Sequence, residues 1–198
     1  MQSSTLNITA TDGPAALAST ALTEIKQHLR VTHSYEDDLI QTYFDAAVHM
    51  VETYASITLG RTTWELRLPG FPQERYIELP RGPVESVTSL KYYDTSDVDT
   101  TWAASDYIVS LSEMPARIYL EESDVWEETR QRPDAVRVTY ISGASSWSTL
   151  PTKVKPALMM LTAHQYTFRQ PVLSGTTATE LPWALRSNLQ SIREDFQT

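Results

Sequence analysis

Apolar residues recur with a helical period at both ends of this chain and with a strand period in its middle. Residues 19–30 and 34–56 carry apolar positions three or four apart, which predicts two amphipathic helices. Ser19 or Thr20 can cap the first helix, and Ser34 resembles the N-cap of the second. The apolar face of the second helix consists of Leu39, Ile40, Tyr43, Phe44, Ala47, Val48, Val51 and Tyr54.

After Gly60 the period of the apolar positions changes from about 3.6 residues, typical of a helix, to two residues, typical of a strand. Trp64, Leu66 and Leu68 alternate with polar residues, the pattern of a half-buried strand with Trp64 facing inward. About six strands are predicted, at residues 63–68, 77–79, 84–93, 107–111, 118–120 and 136–140. Residues 94–100 and 121–133 are polar, charged segments that we expect to form loops.

The helical period returns after Pro151. A third helix is predicted over residues 151–169 and a fourth over residues 182–196, with a Ser/Gly/Thr-rich loop at 170–180. The last segment carries a stripe at steps of four, four, three and four, made of Leu181, Leu185, Leu189, Ile192 and Phe196. Trp183 lies off this stripe and is a candidate for a second contact. The stripe either packs on the other helices of the chain or binds a partner, and both can hold for different residues.

The order of elements predicts an α+β fold: a helical bundle of two N-terminal and two C-terminal helices with an inserted antiparallel β domain. We expect a loose N-terminal arm at residues 1–18, a helical domain from 19–60 and 151–198, and the β domain at 61–150. No internal repeat is present.

Composition narrows the function classes. The chain has 198 residues, a net charge of −9 and no cysteine, so disulfides, thiolate metal sites and thiol catalysis are excluded. The negative charge disfavours wrapping of a phosphate backbone. The sequence contains no run of 18 apolar residues, so no membrane span is expected. The first ten residues lack signal-peptide features, so we expect synthesis in the cytoplasm.

No residue pattern predicts catalysis, a metal or a cofactor. The four histidines, at 28, 33, 49 and 164, do not form a metal-binding spacing. The carboxylate clusters at 36–38, 121–124 and 127–128 are typical of a helix start and of solvated loops. Ser142 to Ser145 lacks the GxSxG elbow, and neither GxGxxG nor a P-loop occurs. We therefore expect a protein that is not an enzyme.

The five tryptophans leave one alternative open. Trp126 and Trp147 lie in predicted loops, where they could anchor an interface or cover the β core. Exposed tryptophans with two carboxylates about 5–10 Å apart would form a glycan site, so a host- or glycan-binding β module is the alternative from another class.

Several segments together resemble the head–tail connector proteins of tailed bacteriophages, also called adaptor or head-completion proteins. They are residues 22–31 with 36–40, the strand start at 62–64, 79–84 with 86–89, 132–136, and the helix 151–169 with its Ala163-His164-Gln165-Tyr166. The resemblance spans about residues 20–197 and depends on the order and spacing of these segments. The N-terminal arm and the Thr-rich loop at 174–179 depart from the family pattern.

This resemblance implies a structural subunit in the neck of a virion. It implies a ring of about twelve copies below the portal that extends the DNA channel, with DNA passing through without specific binding. It also implies docking of the C-terminal helix on the portal, through Leu181, Trp183, Leu185, Leu189, Ile192 and Phe196, and contact with a stopper or tail-completion protein. Gene-transfer-agent particles use similar proteins. A stopper that plugs the channel with loop 94–100 or 121–132 is a further alternative.

Overall fold

A computed structural model describes residues 4–11, 13–122, 124–169 and 183–197. The chain divides into two compact units. The β unit comprises Met1–Thr11 and Arg61–Gly143, and the helical unit comprises Asp12–Gly60 and Ala144–Thr198. The α+β class is confirmed, and after an N-terminal strand the elements follow the predicted order of helices, strands and helices.

Within its described residues, the helical unit contains four helices and one short 3-10 turn, Trp147–Thr149. The helices are α1 (Gly13–Leu29), α2 (Asp37–Ala55), α3 (Val154–Thr167) and α4 (Trp183–Gln197). Helix α2 contacts each of the other three helices. Its sequence explains this central position, because its apolar face is broad enough to serve several neighbours.

The predicted helix starts need correction. Helix α1 begins at Gly13, so Ser19 and Thr20 lie inside it, and Thr20 Oγ1 donates a hydrogen bond to the Leu17 carbonyl. Glu36, not Ser34, occupies the N-cap position of α2, without a side-chain cap bond. Asp37 and Asp38 in the first turn favour this end through the helix dipole. The charge pattern identified the right region, whereas the exact cap depended on the preceding turn.

One apolar cluster forms the core of the helical unit. Its largest fully buried side chains are Leu17, Ile25, Ile40, Phe44, Leu59, Trp147, Leu158 and Leu161. Trp147 packs edge-on against Phe44 with ring centroids 5.8 Å apart, and its indole Nε1 donates to Glu24 Oε2 at 2.8 Å. The expectation that Trp147 anchors an interface or covers the β core is therefore wrong.

Eight strands form two antiparallel sheets in the β unit. The five-stranded sheet has the order β1-β2-β8-β4-β5 and the three-stranded sheet the order β3-β7-β6. The strands are β1 (Thr5–Thr11), β2 (Thr62–Leu68), β3 (Tyr76–Leu79), β4 (Val84–Tyr93), β5 (Asp99–Thr101), β6 (Tyr107–Ser110), β7 (Ala116–Leu120) and β8 (Val136–Ser142).

Two strands were not among the six predicted. β5 is only three residues long, too short for an alternation to be detected. β1 lies in the segment expected to be a loose arm. Residues 5–11 contain β-branched threonines and an isoleucine, which suit a strand, but only pairing with β2 makes them one.

The β unit has its own apolar core, made of Leu66, Ile77, Leu79, Val84, Leu90, Ala116, Ile118, Val136, Val138 and Tyr140. Trp64 is half-buried and packs against it, in line with its inward phase. The buried Tyr140 hydroxyl donates to the Pro80 carbonyl at 2.6 Å, and burial raises its pKa. Tyr140 thus satisfies its polar atom while filling the core.

Candidate functional site

The C-terminal stripe is partly built into the helical core. Leu189 and Ile192 are 5% and 1% exposed, and the half-buried Phe196 packs against the same cluster. Leu181 lies outside the described residues, as do the side chains of Trp183 and Leu185. Partner binding by these six residues remains a prediction.

Two described polar contacts of α4 lie near the surface. Lys153 Nζ pairs with Asp195 at 2.5 Å, and Tyr54 Oη donates to Gln190 Oε1 at 3.0 Å. Exposed pairs of this kind stabilise a fold by about 1 kcal/mol or less. Burial of Leu189 and Ile192 is therefore the main described contribution that holds α4 on the helical unit.

A groove of about 930 Å³ lies between α2 and α4. Met50 and Tyr54 of α2 line it and are each 41% exposed. Its polar lining comes from His49, Arg186, Gln190 and Glu194. This mixture of apolar and polar groups is more typical of a surface that binds a side chain than of a site that catalyses a reaction.

Four aromatic rings of the β unit pack on one another. Phe71 stacks on Trp126 with centroids 4.6 Å apart, and Trp102 meets both rings edge-on at 5.2 and 5.4 Å. Tyr92 completes this aromatic cluster, and the Trp126 indole donates to the Glu74 carbonyl. Because each ring covers another, the cluster stabilises the loop around Trp126 and does not form the open platform that glycan binding needs.

Arginines and aspartates tie the two charged loops together. Arg132 donates to both carboxylate oxygens of Asp134, at 2.6 and 3.1 Å, and to Asp97 at 3.1 Å. Arg137 pairs with Asp99 at 2.5 Å. The hydrogen bonds from Arg132 are the main cause that lowers the pKa of Asp134.

We call these contacts between the charged loops the β-unit clamp. The clamp also includes a backbone hydrogen bond and one aromatic ring. The Arg130 amide donates to the Tyr93 carbonyl at 3.1 Å. The guanidinium groups of Arg132 and Arg137 lie 3.8 and 4.6 Å from the Tyr93 ring centroid. Loops 94–100 and 121–132 are thus fastened to each other, which favours a fixed surface over a plug that enters a channel.

The outer face of the three-stranded sheet carries a second charge network. Arg117 pairs with Glu78 at 2.8 Å and with Glu113 at 3.3 Å, and lies over the Tyr76 ring. The Tyr119 hydroxyl donates to Glu113 at 2.8 Å. Hydrogen bonds from Ser110 and Tyr119 are the main causes that lower the pKa of Glu113. The arrangement neutralises a cation on a flat surface and offers no nucleophile.

Within the described ranges, no group of three or more His, Asp or Glu side chains could hold a metal ion. Across those same ranges, no helix has the length and apolar character that a membrane span requires. The described features that could serve a function are therefore contact surfaces: the groove between α2 and α4, the aromatic cluster and the two charge networks.

Comparison with known proteins decides the family. The family model for phage gp6-like head-tail connector proteins matches residues 19–118, just over half of the chain. This chain belongs to that family. No curated protein sequence matches it.

Solved structures share the fold of this connector. A chain in the neck of an empty gene transfer agent (GTA) particle, computed with C6 symmetry, aligns with a TM-score of 0.76 and 24% identity, covering 96% of this chain and 95% of that chain. A chain in the neck of the native GTA particle, computed with C12 symmetry, gives 0.73 and 23%, covering 96% and 94%. A chain in the virion of the native GTA particle gives 0.71 and 24%, covering 98% and 95%.

The matched range of the connector family ends inside β7. It includes most of α1, all of α2 and most of the β unit, and leaves α3 and α4 outside. The family match therefore supports the identity of the connector without testing its C-terminal stripe.

Sequence reasoning missed one contact between the first and last parts of the connector's bundle. Glu36 accepts hydrogen bonds from the Tyr166 hydroxyl and from Arg169 Nη2, the latter at 2.7 Å. These contacts lower the pKa of Glu36, with Tyr166 as the largest cause. The residues are 130 or more positions apart, so no local pattern signals the pairing.

Proposed function

We propose that this connector assembles into a ring of about twelve copies in the neck of a phage-like virion, below the portal, where it extends the DNA channel and provides the attachment surface for the neck or tail. The observation that carries the proposal is the family membership together with a fold shared over nearly the whole chain with a neck subunit from a C12-symmetric structure. The role is structural, and no cofactor is required.

The charge of the chain supports a channel component. The β unit holds nine basic and fifteen acidic residues, a net charge of −6, and the helical unit holds seven and ten, a net charge of −3. Like charge between protein and phosphates weakens adhesion of passing DNA.

Pairing of the cations supports the same conclusion. Arg61, Arg67, Arg117, Arg132 and Arg137 of the β unit are each bound to a carboxylate of the chain. A cation that is already paired contributes less to the counterion release that drives DNA binding. The proposed ring therefore guides DNA without holding it.

The C-terminal helix is the proposed contact with the portal. We assign the portal contact to Leu181, Trp183 and Leu185, because Leu189 and Ile192 are already buried in the core of the helical unit. The β unit, with its clamped loops, is the proposed surface for a stopper or tail-completion protein.

Electron microscopy of particles made with this gene stopped early tests the proposal. We expect heads that package DNA and then lose it, beside free tails, because no ring joins the two. Restoring the gene on a plasmid is the control and should restore tailed particles. Normal tailed particles with a defect only in adsorption would overturn the connector role and favour the host-binding alternative.

A further inference from the structure

Strand β1 occupies the outer edge of the five-stranded sheet, where it has one neighbour, β2. The antiparallel register runs from Thr5 opposite Arg67 to Thr11 opposite Thr62, with a bulge between Ile8 and Ala10. β1 therefore covers an edge of β2 that would otherwise be free to pair with another chain.

The contacts that hold β1 are mostly independent of sequence. They consist of the backbone ladder, the packing of Leu6 against the β core, and a hydrogen bond from Thr9 Oγ1 to the Thr63 carbonyl at 3.2 Å. Residues 1–11 contain no charged side chain, although the whole chain carries a net charge of −9. A neutral strand can approach another copy of this acidic protein with little repulsion.

The connection of β1 to the rest of the chain is short. Only Asp12 separates the end of β1 at Thr11 from the start of α1 at Gly13, and the boundary between the two units falls at the same place. A short connection in the sequence between an element and its neighbour favours exchange of that element between copies.

We propose that β1 is exchanged in the assembled ring, so that residues 5–11 of one copy pair with β2 of the next. The inference rests on the proposed ring and adds the contact that links neighbours. Exchange preserves every β1–β2 hydrogen bond, since an identical strand fills each site. The entropy lost when neighbouring copies associate is shared with the other contacts of the ring. Each copy donates one strand and accepts one, which is the head-to-tail relation that closes a ring.

Engineered disulfides test the exchange, because the chain has no cysteine of its own. Asn7 and Glu65 are opposite each other in the register. Opposite residues in an antiparallel pair lie about 4.5–5.5 Å apart at Cα, within the range of a disulfide. The double variant Asn7→Cys with Glu65→Cys is assembled into particles under reducing conditions and oxidised afterwards.

On a gel without reductant, exchanged strands give covalent multimers that extend toward the full ring. Strands that stay on their own chain give a cross-link within one chain and a band at the mass of a single subunit, which overturns the proposal. Particles containing a mixture of the two single variants sharpen the result. They give a two-chain band when strands are exchanged, and none when they are not.

The matched control is Lys91→Cys with Thr101→Cys, opposite each other in the β4–β5 pair of the same sheet. This local pair should cross-link within one chain in every case. The register pair Thr5→Cys with Arg67→Cys, two residues along the same two strands, provides a repeat at a second position.

The two proposals fail in different ways. Absence of the wild-type subunit from particles contradicts the proposed function. Its presence in particles, together with cross-links only within single chains from both cysteine pairs, contradicts strand exchange and leaves the ring intact.

Discussion

The helical unit and the β unit each bury an apolar core, but their polar side chains do different things. In the helical unit the part-buried hydrogen bond from the Trp147 indole to Glu24 helps to orient a core side chain. In the β unit the charged groups lie outside the core and pair with one another, around Arg117 on one sheet and around Arg132 near the charged loops. Ion pairs also occur in the helical unit, where Lys153–Asp195 and Arg169–Glu36 join segments of different helices. In the β unit the pairs around Arg117 and Arg132 instead border strands and loops.

The largest expected effect comes from the centre of the helical core. Phe44→Ala should lower the free energy of unfolding by about 3–5 kcal/mol, because it removes a ring with no exposed surface and leaves a cavity. Urea unfolding followed by circular dichroism measures the change. Tyr35→Ala is the control, since Tyr35 is 93% exposed and should change stability by about 0.5 kcal/mol or less. Equal losses in the two variants would contradict the assignment of this core.

Substitutions in the C-terminal stripe should have intermediate effects, and they should distinguish its buried residues from those that bind a partner. Ile192→Ala should cost about 2–5 kcal/mol of stability, because its side chain is buried in the helical unit. Leu185→Asp should leave stability within about 0.5 kcal/mol and prevent portal docking, if this part of the stripe meets the portal. Urea unfolding and the amount of subunit in purified particles measure the two effects. A large loss of stability in Leu185→Asp would instead assign the whole stripe to the core.

The smallest expected effect concerns the β-unit clamp and depends on pH. The pKa of Asp134 is lowered by Arg132, so the carboxylate stabilises the folded state at every pH above its unfolded pKa, about 3.9. That contribution is lost as the pH falls from this value through the lower folded pKa. Asp134→Asn should therefore be less stable than wild type at pH 7, and the gap should be smaller at pH 3.

Urea midpoints at the two pH values measure this gap. Glu122→Gln provides the control, because Glu122 is exposed and its side chain has no ion pair within the described ranges. A gap for Asp134→Asn that stays constant with pH would show that the clamp does not act through the charge of this carboxylate.

Periodicity in the sequence predicted the four helices and six of the strands of this protein. The steps of three and four in α2 predicted a helix whose Ile40, Phe44, Ala47, Val48 and Val51 are indeed buried. The alternation around Trp64 and Leu66 predicted β2 in the same way. These predictions succeeded because a long amphipathic pattern has a single way to bury its apolar face. The order of short motifs was likewise enough to indicate the connector family, which the family match confirmed.

Only the tertiary structure decided the remaining features. Residues 5–11 lack a strong pattern of their own and become β1 because β2 supplies the pairing partner. Trp147 lies in a short turn, and its place beside Phe44 and Glu24 depends on helices more than 100 residues earlier in the chain. Glu36 meets Tyr166 and Arg169 for the same reason. Contacts between residues far apart in the sequence depend on how whole elements pack, and local periodicity carries no information about that packing.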